Sequence, residues 1–158
     1  MRFLGVGLIG FGCTSSNLSG SWDGSVVCGD EQDYTIEAAI NPSDESFVYK
    51  GGMLFQYIET LFISGDEVGF TVNFLYDFTV TQPIREGAQD VYFNVTWNEV
   101  GCELDYPESE DERGTDVCEQ QGIDLSVLGE DIGDVVMRFD GSNRLTMDDN
   151  FCEGYIER

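Results

Sequence analysis

Apolar and polar residues alternate along most of this chain with a period of two. The longest run lies at residues 68–80, where seven apolar side chains occupy every second position. The same alternation recurs at residues 34–40 and 91–97. This period is typical of β-strands that bury one face and expose the other. The pattern therefore predicts an all-β protein with little or no helix.

Further strands are predicted between clusters of turn-forming residues, at residues 21–28, 46–49, 53–58, 125–128, 135–139, 144–147 and 151–156. Only residues 57–64 and 116–122 leave room for a short helix. About eight to ten strands at this spacing predict an antiparallel β-barrel or a β-sandwich. A strand over residues 68–80 would be about 43 Å long. We therefore expect it to bend or to serve two layers of the fold.

The N-terminal segment has the order of a secretory signal. Arg2 precedes an apolar run at residues 3–11, and the small residue Gly12 comes directly before Cys13. The run is too short to cross a bilayer, which needs about 20 apolar residues. The sequence thus predicts a signal peptide at residues 1–12 and a single β domain at residues 22–158.

Cys13 and the Ser/Gly-rich stretch after it resemble the lipobox region of bacterial lipoproteins, although Gly10 and Phe11 depart from its usual residues. The resemblance implies a lipid on Cys13, a flexible tether at residues 13–21, and attachment of the exported protein to a membrane of the cell envelope. Thr14 after the cysteine implies the outer membrane if the cell is Gram-negative. The alternative is a Gly-rich first strand with an ordinary buried cysteine.

The charge of the chain is strongly negative. Thirty-one acidic residues oppose seven basic ones, which gives a net charge of −24. Such a surface repels nucleic acids and anionic lipid headgroups. Three interpretations stay open: a solvated surface suited to saline surroundings, binding of a cation, or docking to a basic partner. The chain has no histidine, which removes the imidazole-based nucleophilic and zinc chemistries. We therefore do not predict an enzyme.

Four cysteines remain when Cys13 is set aside, and an even number suits an oxidising compartment. They allow three connectivities. We favour Cys28 with Cys152, because closure of a barrel places the first and last strands side by side. Cys102 would then pair with Cys118 and close an acidic surface loop, a stabilisation of about 3 kcal/mol.

One group of polar residues offers the hard oxygen ligands that calcium prefers. It consists of Asp140, Asn143, Asp148, Asp149 and Asn150. The spacing is not that of an EF-hand, so the alternative is a pair of solvated turns. No other cofactor is predicted.

Gly20-Ser21-Trp22 on the first predicted strand, together with Arg158 at the end of the last one, resembles the calycin (lipocalin-like) barrels. In that family a G-x-W tryptophan closes one end of the barrel and an arginine packs across it, a cation–π contact. The resemblance implies an apolar pocket inside the barrel, lined by Trp22, Phe70, Phe74, Phe78, Phe93 and Trp97. Alternatively, these side chains fill a solid core.

Three classes of function stay open after these observations. The N-terminal segment favours a lipoprotein of the cell envelope with a structural or interaction role, whose partner would be another envelope protein. The alternative is a calycin-like barrel that binds a small apolar molecule. A carboxylate-dependent enzyme is the third class, but no spacing of acidic residues identifies one.

Overall fold

The computed structural model describes residues 17–29, 31–45, 48–80, 87–106, 111–126 and 128–158. Within these ranges the chain forms nine strands and one short helix. The elements are β1 (Gly20–Cys28), β2 (Gln32–Pro42), β3 (Tyr49–Ile63), β4 (Asp66–Val80), β5 (Gln89–Asp105), β6 (Glu112–Arg113), α1 (Thr115–Gln120), β7 (Asp131–Phe139), β8 (Arg144–Asp148) and β9 (Cys152–Glu157). The all-β prediction is confirmed.

Eight of these strands close into an antiparallel barrel. Neighbouring strands pair in the order β1, β2, β3, β4, β5, β7, β8, β9, and β9 returns to pair with β1. The two-residue strand β6 pairs with β5 outside this ring. Full closure leaves the barrel without exposed sheet edges. The structure is therefore a barrel, one of the two architectures that the sequence left open.

The barrel has two different ends, which we call the closed end and the open end. The closed end carries residues 17–19, Arg158, and the connections β2–β3, β4–β5 and β7–β8. The open end carries the turns β1–β2, β3–β4 and β8–β9 and the segment between β5 and β7. Strands β3, β4 and β5 have 15, 15 and 17 residues and extend beyond the barrel at the open end.

The long strand β4 serves two separate clusters of buried residues, whereas its length in the sequence predicted that it would bend or serve two layers of the fold. Phe78 and Val80 lie in the barrel core, whereas Val68 and Val72 belong to a second cluster. The register between β4 and β5 shifts where the strands leave the barrel, because Asn98 is an extra residue in β5. Such a β-bulge bends the sheet locally, so the same face of β4 packs against different partners on its two halves.

The second cluster, here called the extension core, is covered by helix α1. Its buried members are Val68, Phe70, Val72, Val100, Cys102, Leu104, Val117 and Cys118. The helix directs Val117 and Cys118 onto the extended part of β4 and β5. Helix α1 overlaps residues 116–122, one of the two places predicted for a helix, whereas residues 57–63 belong to β3 and Ser64 to the turn after it.

Both predicted disulfides are present. Cys28 on β1 and Cys152 on β9 occupy paired positions, with their Cα atoms 4.0 Å apart. Cys102 on β5 is bonded to Cys118 on α1. Closure of the barrel places β1 and β9 side by side, so that Cys28 and Cys152 can form a bond. The first bond lies at the open end, and the second attaches the helix to the extension core.

The strand predicted at residues 125–128 is absent from the described part of that segment. Leu125 and Leu128 lie in turns and pack against the extension core. They are apolar because they cover buried residues, and that role needs no strand pairing.

The folded domain begins earlier than the predicted boundary at Trp22. Leu18 is fully buried in the barrel core, and β1 starts at Gly20. Residues 17–21 are therefore part of the domain and not of a flexible tether. Leu18 is buried in the same cluster as Trp22, which the polar composition of the stretch around it concealed. The predicted signal at residues 1–12 and the lipidated Cys13 lie outside the described residues.

Candidate functional site at the open end of the barrel

Trp22 fills the closed end of the barrel. Its side chain is 1% exposed, and its indole Nε1 donates a hydrogen bond of 2.8 Å to the carbonyl oxygen of Leu18. The ring of Phe139 meets the indole edge-on, with the centroids 6.1 Å apart. The guanidinium carbon of Arg158 lies 5.2 Å from the indole centroid, within the range of a cation–π contact. This end is therefore occupied by protein side chains.

Arg158 also ties three segments together at the closed end. Its Nη1 donates to the carbonyl oxygens of Asn17 and Ser19, at 2.8 and 2.9 Å. Its Nη2 donates to the carbonyl of Ser142, at 2.7 Å. Arg158 itself follows β9, and its acceptors lie on the N-terminal segment and the β7–β8 turn. One side chain therefore connects these three segments around Trp22.

The middle of the barrel is packed as well. Phe78 and Phe93 are 3% and 0% exposed, and their rings meet edge-to-face at 5.1 Å. Ile36 and Met137 are each 1% exposed. This half of the barrel interior is therefore a solid hydrophobic core.

The open end holds a cavity of about 190 Å³. We call it the mouth cavity. Its described lining residues are Met53, Phe55, Tyr76, Val95, Val135, Met147, Asp149, Phe151 and Cys152. Most of these side chains are apolar, and they come from six neighbouring strands of the barrel and the β8–β9 turn. Phe151, in the β8–β9 turn, forms part of the rim and is 69% exposed.

A chain of half-buried aromatic side chains runs from the mouth cavity to the extension core. Its members, here called the mouth aromatics, are Tyr34, Phe55, Tyr57, Phe74, Tyr76 and Trp97. Phe55 meets Tyr76 at 5.4 Å, and Tyr76 meets Trp97 at 4.6 Å. These separations are typical of stabilising aromatic pairs. The rings pack against one another but are not completely covered by protein.

The tyrosines among the mouth aromatics stay protonated at neutral pH. Burial raises the pKa of Tyr34 and Tyr76, and the charge of Tyr34 adds to the shift at Tyr76. Burial also raises the pKa of Tyr57, with contributions from Glu59 and Tyr34. A neutral phenol donates and accepts hydrogen bonds. These groups therefore give polar contacts within an uncharged aromatic surface.

Asp149 is the only charged side chain among the described residues that line the mouth cavity. Its Oδ1 accepts backbone hydrogen bonds from Phe151 at 2.7 Å and from Cys152 at 2.6 Å. This arrangement organises the β8–β9 turn in the manner of an Asx turn. The carboxylate is consequently held at the rim, next to the exposed ring of Phe151.

The structure does not bring the predicted calcium ligands into one group. Asp140 and Asn143 lie in the β7–β8 turn at the closed end, whereas Asp148, Asp149 and Asn150 lie at the open end. The five residues of β8 separate the two turns by about 16 Å. The Oδ1 of Asp140 accepts three backbone hydrogen bonds, from Ser142, Asn143 and Arg144. Slight burial tends to raise the pKa of the Asp140 carboxyl. The three backbone hydrogen bonds and the Ser142 hydroxyl lower this pKa by more, so the net shift is downward.

A different acidic group lies beside the extension core. Carboxylate oxygens of Glu103, Asp105 and Asp111 approach within 4.8 Å of one another. Arg113 Nη2 lies 2.8 Å from Glu103 and 3.0 Å from Asp111, so a guanidinium already neutralises part of this charge. The calcium site stays a prediction that these contacts do not support.

No known protein family, curated protein or solved structure matches this chain. Within the described part of the chain, no helix has the length and apolar character needed to cross a membrane.

The side chains that the sequence proposed as cavity lining lie elsewhere. Trp22, Phe78 and Phe93 are in the barrel core, Phe70 is in the extension core, and Phe74 and Trp97 lie between the two. None of the six lines the mouth cavity. The alternation identified the correct face of each strand, but the depth along the barrel axis decides which residues reach the mouth. Tyr76 lies on the same face of β4 as Phe74 and Phe78, and this shared face was the one feature of the sequence that could have identified Tyr76 as a lining residue.

Proposed function

We propose that this protein is a small-molecule-binding barrel that takes an apolar group into the mouth cavity. The observation that carries the proposal is the contrast between the two halves of the interior. Around Trp22 and Phe93 the core is packed, whereas at the open end about 190 Å³ is empty between apolar side chains. Apolar pockets with a few polar groups are the usual form of small-molecule sites.

The size of the cavity limits the ligand. An apolar cavity of roughly 150 Å³ holds a molecule the size of benzene. The mouth cavity, at about 190 Å³, therefore suits one ring or a short branched chain. The protonated phenols of Tyr34 and Tyr76 favour binding over acid–base catalysis, because neither is a base at neutral pH.

We further propose that the domain is exported and anchored through a lipid on Cys13. The two disulfides are consistent with an oxidising compartment. The described chain begins with Asn17 at the closed end, four positions after Cys13. A lipid there would hold the closed end toward the membrane and leave the mouth cavity facing away from it.

Binding can be tested with toluene as the probe and the amide NMR spectrum of the described domain as the readout. We expect toluene to shift the signals of Met53 and Phe55 and to leave those of Trp22 unchanged. Val135→Phe places a ring in the cavity and should weaken binding about tenfold or more, a change of about 1.4 kcal/mol.

Val136→Phe is the matched control, because Val136 is the next residue on β7, points outward and is 40% exposed. It should bind toluene as the unmodified protein does. Equal binding by both variants, or no binding by the unmodified protein, would contradict the proposed function.

The interaction role is a second candidate, favoured by one surface feature. Ile58 and Phe62, on the outer face of β3, are 67% and 73% exposed. Glu67 on β4 lies opposite Phe62, so a partner would present a basic group beside an apolar site. Replacing both apolar residues by Ser should dissociate an envelope complex isolated in mild detergent, whereas Val136→Ser should not.

A further inference from the structure

We propose that the mouth cavity prefers an organic cation, an alkylated or aromatic ammonium group, over neutral and anionic groups of the same shape. This inference rests on the proposed function and adds the chemical class of the ligand. It follows from three features of the open end: ring faces, one fixed carboxylate, and the distribution of basic residues.

The ring faces are the first feature. Phe55, Tyr76 and Phe151 line the cavity, and none of them is completely buried. The face of an aromatic ring carries partial negative charge and attracts a cation within about 6 Å. Quaternary ammonium groups are recognised by such surfaces because they are large, weakly hydrated and apolar at their edges. The cavity thus offers both apolar contact and a favourable electrostatic environment.

Asp149 is the second feature. Its carboxylate lies in the cavity wall, and its position is fixed by the amides of Phe151 and Cys152. Asp149 is exposed at the rim, and its negative charge beside the cavity opening attracts a cation that enters the cavity. The same carboxylate repels an anionic headgroup. Fatty acids and other carboxylates are therefore the disfavoured class.

The basic residues are the third feature. No described Lys or Arg lines the mouth cavity. Arg138 and Arg144 form ion pairs with Asp90 and Glu157, and Arg158 is held at the closed end. Arg113 is paired with Glu103 and Asp111. With a net charge of −24, the protein as a whole attracts cations toward its surface.

Three probes of nearly equal shape test the preference. They are choline, its neutral isostere 3,3-dimethylbutan-1-ol, and the anion 3,3-dimethylbutanoate, each titrated against the folded domain by amide NMR. We expect choline to bind about tenfold more tightly than the alcohol at about 0.1 M salt, and the anion to bind most weakly. Equal or tighter binding of the alcohol would overturn the cation preference and leave the proposed function intact. Failure of all three probes, and of toluene, would overturn both.

Two variants locate the preference. Phe55→Leu keeps an apolar side chain but removes an aromatic ring, so it should weaken choline binding by a larger factor than it weakens binding of the alcohol. Asp149→Asn removes one charge and keeps an oxygen that accepts the two turn amides, so it should weaken choline binding several-fold. An unchanged amide signal of Trp22, which lies at the closed end, shows that each variant is folded.

Asp140→Asn is the matched control for Asp149→Asn. Asp140 organises the β7–β8 turn through the same kind of hydrogen bonds, and its replacement changes the net charge equally. It lies at the closed end, beyond the Debye length of about 10 Å in 0.1 M salt. We expect Asp140→Asn to leave choline binding unchanged. Equal losses in the two variants would overturn the assignment of the cation to the mouth cavity.

Discussion

Replacing Gly51 by Ala should destabilise the barrel severely. A methyl group on Gly51 would lie 1.8 Å from the carbonyl oxygen of Ala39 and 2.9 Å from Cζ of Phe78. Carbon and oxygen atoms normally approach to about 3.3 Å. The strands β2 and β3 would therefore have to separate by roughly 1.5 Å, and Phe78 would have to leave its position in the core.

Overpacking of this kind typically costs 1–3 kcal/mol and sometimes more. Because the obstacle is backbone and not the end of a flexible side chain, we expect a loss of about 3 kcal/mol or more. For a domain of this size, that corresponds to a fall of roughly 6–12 °C in the melting temperature. Thermal denaturation followed by circular dichroism measures the change directly.

Gly52→Ala is the control for this experiment. Its methyl group would meet the carbonyl oxygen of Tyr76 at 3.6 Å, which is an ordinary contact. The substitution reduces the freedom of the unfolded chain, so stability should stay the same or rise by up to about 1 kcal/mol. Melting temperatures of Gly51→Ala and Gly52→Ala that agree within about 1 °C would refute the reasoning, because only the first position lacks space.

Three further predictions concern the disulfide of the helix, the buried phenols and the N-terminal cysteine. Replacing Cys102 and Cys118 together by Ser should lower the free energy of unfolding by about 3 kcal/mol in urea titrations, and an unchanged midpoint would contradict the role given to this bond. The raised pKa of Tyr76 means that the folded state holds its proton more tightly than the unfolded state. Stability should therefore be insensitive to this group below its ordinary pKa of 10.0 and should fall above it. Tyr76→Phe should accordingly lose less stability than the unmodified protein between about pH 9 and pH 11. Cys13→Ser should abolish incorporation of labelled fatty acid in the native cell, and continued labelling would exclude the proposed anchor.

The sequence predicted the fold well where two features could be combined: the period-two alternation of single strands, and the requirement that the strands close into a barrel. Alternation over residues 68–80 identified the inward face of β4. The length of this run indicated that the strand would bend or serve two layers. Closure of a barrel then paired Cys28 with Cys152. Turns that cover a core leave no comparable pattern, which is why Leu125 and Leu128 were assigned to a strand.

The mouth cavity could not be predicted in the same way. Tyr76 and Phe78 are two residues apart on one face, yet Phe78 is 3% exposed and Tyr76 borders the cavity. Their difference depends on how far each lies along the barrel axis, and this is set by the register of several strands. The acidic turns show a second limit of sequence patterns, because Asp140 and Asp149 have the composition of metal ligands and also accept hydrogen bonds from their own turns.

The seam between β1 and β9 also determines the order of events during folding. It joins Cys28 to Cys152 across 124 residues, whereas Cys102 and Cys118 are 16 residues apart. Closing the longer loop in an unfolded chain costs about 2 kcal/mol more in entropy. The hairpins from β2 to β5 are local and form quickly by comparison. We therefore expect the bond between Cys102 and Cys118 to form first, and the bond between Cys28 and Cys152 to form after the ring of strands has closed.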